Sequence, residues 1–262
     1  MPDFGSLLPP PLRARHGIPL YYDKTDNEFR ADDYERFDGL VTRQAALHLH
    51  DELHGGYPFQ PLLDWLLAWL PDRNNLVALD VGCSVGRLIA EIARRQPTWD
   101  CYGVDYSYQM LALARRFWVL GRPEPLRLDR FGWAGPQGQG QRMDNLSFLL
   151  AKAEALPFPD ASVDLLLTTF LLDRVKNMHR LVEGFLRPCA PGALLLCVTP
   201  LNFLRADQWR DFYPPVKLLH HLENNGWEVL DWTDPFALRE PLDARGNAVH
   251  WQCLRFVARK GG

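Results

Sequence analysis

The stretch NLVALDVGCSVGRLIAEIARRQ, residues 75–96, constrains the fold of this chain more than any other. An apolar run ends in Asp80, and Gly82, Cys83, Ser84, Val85 and Gly86 follow almost at once. Leu88, Ile89 and Ile92 then recur at helical spacing. A strand buried on both faces reads as continuous apolar sequence. A glycine-rich turn lets a ligand approach the backbone because no Cβ intervenes. In open parallel sheets ligands bind outside the carboxyl ends of the strands. Strand, turn and helix therefore define one ligand-binding unit, with an acid at its tip.

The unit repeats in outline along the chain. WDCYGVD, LSFLLAKAEALPF, SVDLLLTTFLL and GALLLCVTP read as strands, and SYQMLALARRFWVL, NMHRLVEGFLRPC and PPVKLLHHLENNG as helices. Apolar strands alternating with helices predict a mostly parallel sheet covered on both faces. WEVLDWT and HWQCLRFVARK, flanking DPFALREPLDARGNA, predict an antiparallel edge. Residues 1–57 read as an extension carrying a cap helix, from ADDYERF to the stop at Gly55-Gly56. Residues 58–262 read as the main domain, in which PFQPLLDWLLAWL opens as a helix. Residues 121–145 break its rhythm as an inserted loop, with AGPQGQGQ at the tip of a hairpin.

Composition removes several classes. At 262 residues and 47% apolar, the chain can bury a sizeable core. A net charge of −3 gives no basic footprint for nucleic acid. Five scattered cysteines without a CxxC pair argue against a zinc site or disulfide framework and suit a cytoplasmic protein. PLLDWLLAWL is interrupted by Asp64 and too short for a bilayer, so no membrane association is expected. His50 and His54, spaced i, i+4, have no evident third ligand, so no metal site is expected.

Three nucleotide sites could use such a turn. A P-loop needs a GxxxxGK[ST] pattern, and no lysine follows Gly82 in that register. A dinucleotide turn wants GxGxxG, and an acid before it would face a pyrophosphate. The acid favours a cationic ligand instead. LDVGCSVGRL and YGVDYSYQMLALAR, followed by AKAEALPFPDASVDLLLTTFLL and LRPCAPGALLLCVTP, resemble the class I S-adenosylmethionine-dependent methyltransferases in order and spacing. The resemblance spans roughly residues 60–200. It implies a Rossmann-like seven-stranded, mostly parallel sheet with an antiparallel last strand, here under an N-terminal helical cap.

The resemblance also implies roles. Asp80 lies near the methionine amino group of S-adenosyl-L-methionine, with Gly82, Cys83, Ser84 and Gly86 lining the close approach. Asp105 accepts both ribose hydroxyls. Tyr106 and Met110 flank the adenine, Ala153 and Glu154 hold its edge, and Thr169 and Phe170 stand beside the transferred methyl. Ser84 replaces the usual middle glycine of the turn, and Ala151-Lys152 replaces a frequent Gly-Asp, so an aspartate contact to the adenine amine is missing. The ending TDPFALREPLDARGNAVHWQCLRFVARK, with the insertion and the DVGCSVGR form, resembles more loosely the N-methyltransferase domain of ovothiol (mercaptohistidine) biosynthesis.

The expected activity is methyl transfer to a small-molecule acceptor through an N, O or S nucleophile, by a monomer or homodimer. Asp173 and Tyr22 are the candidate catalytic side chains; Arg174, Asn202, Tyr21 and His250 are further groups for the pocket mouth. Two rivals share the sheet: a non-catalytic S-adenosylmethionine-binding sensor or assembly protein, and a nicotinamide-dependent oxidoreductase. The missing GxGxxG weighs against the second.

Overall fold

The structure, a computed structural model, describes residues 7–125, 128–133 and 137–262. Part of the expected hairpin tip AGPQGQGQ lies outside the described residues. Strands β3 (Val77–Val81), β4 (Asp100–Asp105), β7 (Leu146–Leu150), β8 (Val163–Thr169) and β9 (Cys189–Thr199) pair in parallel. β11 (Ala248–Lys260) enters antiparallel between β9 and β10 (Trp227–Pro241). β1 (Arg13–Arg15) and β2 (Ile18–Leu20) form a hairpin that adds to the β7 edge, at Leu20 opposite Leu150. The order is β1-β2-β7-β4-β3-β8-β9-β11-β10.

Among the described residues the sheet therefore has nine strands where seven are expected. The seven from β7 to β10 carry the predicted parallel order and antiparallel last strand. The two extra come from the N-terminal extension, whose Ile18 and Leu20 are buried and whose backbone would otherwise leave the β7 edge unpaired. Three-residue strands, one of them with a central proline, carry too little periodicity to predict.

Each parallel strand is buried on both faces, as its unbroken apolar sequence requires. Ala78, Leu165 and Leu167 pack with α4 (Gln60–Ala68), α5 (Arg87–Arg95) and α6 (Tyr108–Ala114). Leu79, Val81 and Leu166 face α7 (Met178–Leu186) and α9 (Val216–Asn224). Burying each such leucine contributes ~1.5–3 kcal/mol. Ser107 caps α6 by accepting from the Met110 amide, and Asn177 caps α7 through the Arg180 amide. The insertion contributes a short antiparallel pair, β5 (Glu124–Pro125) with β6 (Gln137–Gly138).

The expected continuous cap helix is broken. α1 (Asp26–Ala31), α2 (Asp33–Arg36) and α3 (Asp38–Leu49) succeed one another, with extended backbone at Asp32 and Phe37. Tertiary contacts override local propensity there. Glu35 is drawn inward to accept from Lys24 and from the Tyr108 amide at the start of α6. His50 ends α3 and His54 ends a separate 3₁₀ turn, so the two do not share one helical face. At the other terminus, β10 runs unbroken through DPFALREP, with register shifts at 229–231 and 233–236 that admit Pro235 at an irregularity.

Candidate active site

The carboxyl ends of β3 and β4 meet at the glycine turn. The amides of Gly82 and Cys83 donate to the Val104 carbonyl at 2.8 and 3.0 Å, tying the turn to β4. Gly82, Ser84 and Gly86 all have left-handed φ, +80°, +51° and +76°. A Cβ on Gly86 would lie 2.5 Å from the Phe148 ring, and one on Gly82 3.2 Å from Leu171. The glycines are thus required by sterics as well as by φ. Ser84 tolerates the region where glycine is usual, at a modest steric cost.

Two carboxylates frame the turn. Asp80 is 1% exposed, and its Oδ1 has no hydrogen-bond partner among the described residues. Burial, and then the charge of Asp105, push the Asp80 carboxyl well above the usual range. Asp105 accepts from the Ser84 and Ser107 amides, each at 2.8 Å, one on each oxygen. Burial raises its pKa, and those two amides pull it back. A buried, unpartnered acid, a ledge of turn backbone and a second acid at the next strand tip fit an elongated ligand with a cationic head and a diol.

The next strand tip completes the row. Tyr106 stacks on Tyr22 at 6.0 Å and 29°, and Lys24 Nζ lies 4.1 Å over the Tyr106 ring. Ala153 and Glu154 follow β7, half-buried. Met110 is 2% exposed and receives the Ser84 hydroxyl at 3.7 Å, so it supports the turn from beneath. Cys83 is also buried, which pushes its thiol well up. Thr169 ends β8 half-buried, and Phe170 follows with φ +55°.

Residues 79–197 match the family described as a methyltransferase domain. The match, the strand order and the glycine turn together support a class I S-adenosylmethionine-dependent methyltransferase fold. This likeness supports S-adenosyl-L-methionine as the cofactor. A malonyl-[acyl-carrier protein] O-methyltransferase of Xylella fastidiosa (strain M23) is 30% identical over 131 residues, covering 50% of this chain and 37% of that protein. The ajmaline N-methyltransferase of Rauvolfia serpentina is 22% identical over 172 residues, 64% of this chain and 50% of that protein. The chain thus spans half or less of the length of these curated relatives. The geranyl diphosphate C-methyltransferase of Streptomyces coelicolor A3(2), solved with S-adenosyl-L-homocysteine, superposes with a TM-score of 0.53 at 13% identity. The match covers 77% of this chain and 76% of that one, and likeness at this level concerns the fold alone.

Beyond that row, three segments of the protein meet over the carboxyl edge. The β10–β11 hairpin overshoots the parallel sheet: β11 pairs with β9 only from Leu254 onward, so residues 248–253 overhang. The extension reaches the overhang through Arg43 of α3, whose guanidinium donates to Glu240 at 3.1 Å. Glu240 also accepts from the Trp251 indole at 2.9 Å. The insertion joins through the Ala244 amide, which donates to the Phe131 carbonyl. Beneath them Phe59 stacks on Phe170 at 5.7 Å and 9°, and Trp251 meets Phe170 edge-on at 5.4 Å. Burial raises the Tyr34 phenol, as do the nearby charges of Asp105 and Glu240.

The two candidate catalytic residues sit apart. Asp173 is fully buried, accepts from the Thr199 hydroxyl at 3.3 Å and lies 3.7 Å from Arg174. Tyr22 belongs to the cofactor row and donates to Glu28 at 2.5 Å. Tyr21 donates its hydroxyl to the Pro9 carbonyl, and His250 and Asn202 are exposed. His250 precedes Trp251 on the strand and so faces the opposite side of the hairpin. Phe59, Arg43 and Glu240 carry no motif of their own in the sequence; Glu240 lies within the ending TDPFALREPLDARGNAVHWQCLRFVARK. A separate groove along α5, lined by Arg87, Glu91, Arg94 and Arg95, lies off the carboxyl edge. There Glu91 pairs with all three arginines.

Proposed function

We propose that this protein transfers a methyl group from S-adenosylmethionine to a small-molecule acceptor held against Phe170. The observation that carries the reading is the aromatic cluster of Phe59, Phe170 and Trp251 at the exit of β8, the strand beside β3 and its glycine turn. When bound, S-adenosylmethionine supplies an electrophilic methyl carbon, so the protein's task is alignment and desolvation. Asp80 holds the methionine end of the cofactor and Asp105 its ribose. Phe170 and Trp251 orient a flat acceptor and exclude water. Asp173 braces the exits of β8 and β9 through Thr199, and Tyr22 steadies the cofactor side; neither is needed as a base for an amine or thiol acceptor.

An amine on a small ring is the acceptor this reading favours. The aromatic walls support it, as do the likeness to an ajmaline N-methyltransferase and the looser resemblance of the tail to the ovothiol-pathway N-methyltransferase domain. All five cysteines are free and buried, which supports a reducing, cytoplasmic setting. Among the described residues no helix is long and apolar enough to cross a membrane.

Calorimetric titration with S-adenosylmethionine tests the reading. Micromolar binding is expected, and Asp105→Ala is expected to weaken it about a hundredfold, ~2.7 kcal/mol. An acceptor screen starting from small aromatic and imidazole amines, read by S-adenosylhomocysteine release, then tests transfer. No binding by the intact protein, or equal binding by the variant, would overturn it.

A further inference from the structure

The N-terminal extension delivers a carboxylate to the adenine end of the cofactor row. The strand order β3, β4, β7 sets the ligand's parts in sequence: the glycine turn at β3, Asp105 at β4, and the far end over the exit of β7. β2 runs parallel to β7, with the Tyr21 amide donating to the Leu150 carbonyl. The chain after β2 therefore leaves the sheet on the same edge as Lys152. There Glu28 Oε1 accepts from Lys152 Nζ at 2.8 Å. Glu28 Oε2 accepts from the Tyr22 hydroxyl at 2.5 Å and from the Thr25 amide and hydroxyl, each at 3.0 Å. Lys152 Nζ also rests 4.0 Å over the Tyr22 ring, which stacks on Tyr106.

The pair is held but accessible, with side chains 28% and 35% exposed. Glu28 Oε1 keeps an unused lone pair, and Lys152 keeps N–H donors beyond the one given to Glu28. An acceptor and a donor thus sit side by side next to an aromatic wall. The edge of adenine presents the complementary order, an N6 amine donor beside the N1 acceptor. Hypoxanthine presents the reverse, an O6 acceptor beside an N1–H donor.

We propose that Glu28 and Lys152 together read the adenine edge of the cofactor, Glu28 Oε1 accepting from N6 and Lys152 Nζ donating to N1. This rests on the methyltransferase reading and adds a binding residue from outside the matched domain. It also accounts for a lysine at the position where the resemblance leads one to look for an acid: the acid comes from α1, and the lysine positions it.

The test is calorimetric binding of S-adenosylhomocysteine and S-inosylhomocysteine to the full chain. The unsubstituted protein is expected to prefer the adenosyl ligand at least about tenfold, because the inosyl edge opposes donor to donor and acceptor to acceptor. Glu28→Gln gives the site a donor beside its acceptor and is expected to bring the two affinities within about threefold. Lys152→Met, which leaves the α1 cap intact, is expected to weaken the adenosyl ligand about tenfold. No preference in the unsubstituted protein, or a preference unchanged in both variants, would overturn the proposal and leave the methyltransferase reading standing. Failure of the unsubstituted protein to bind either ligand would overturn both. Unchanged thermal midpoints of the variants separate lost contacts from lost folding.

Discussion

Asp80 concentrates the chemistry of the proposed cofactor site in one side chain. Its Oδ1 is buried without a partner among the described residues, so the charged form costs stability in the unliganded protein. The folded-state pKa lies above the unfolded value. Stability from this group is therefore complete below the unfolded pKa and is lost as pH rises through the folded one. A ligand ammonium beside it reverses the preference. Cofactor affinity is thus expected to rise with pH through the raised Asp80 pKa, measured by calorimetry across a pH series. Asp80→Asn removes the buried charge and keeps the shape. The variant is expected to melt no lower than the parent while its affinity for S-adenosylmethionine falls about tenfold or more. A lower melting point with unchanged affinity would mean that Asp80 is structural.

At the scale of elements, the β3 turn works because three consecutive requirements coincide. The strand end is tied to Val104, the turn needs left-handed φ, and α5 packs so close that Phe148 occupies the space of a Cβ at Gly86. Gly86→Ala would meet both the ring at 2.5 Å and the strained φ. The expected loss is about 2–4 kcal/mol in urea denaturation. A loss below ~0.5 kcal/mol would show that Phe148 moves aside without cost. Helix caps tell a parallel story. Ser107 and Asn177 start α6 and α7 where the sequence places them, because a cap is a local bond between neighbours. The cap helix does the opposite, breaking at Phe37 because Glu35 finds partners 11 and 73 residues away.

The whole molecule is closed by contacts between its ends. Arg43 and Glu240 join the extension to the hairpin overhang across 197 residues. The pair is partly buried, side chains 33% and 11% exposed, and Glu240 also holds Trp251. Glu240→Ala is expected to cost ~1–2 kcal/mol of local closure. Amide exchange in residues 38–49 and 236–251 is then expected to quicken roughly tenfold, with β3 and β4 unchanged. Uniform acceleration would instead indicate global destabilisation, and no change would mean that the aromatic contacts alone hold the overhang in place.

The sequence by itself determined the parallel sheet, the glycine turn, the two carboxylates that flank it and the strand bearing Phe170. These follow from period, turn chemistry and the order of short motifs, all of which are properties of residues close together in the chain. Tertiary structure alone decided what stands around that row. The β1–β2 hairpin on the sheet edge, the Glu28–Lys152 pair, the Arg43–Glu240 clasp and the stack of Phe59 on Phe170 each join segments about a hundred or more residues apart. Tertiary structure also left Asp173 buried against Thr199 while its neighbour Arg174 faces outward. Such pairings depend on how elements are brought together, and a side chain in sequence carries no mark of the partner that packing will give it.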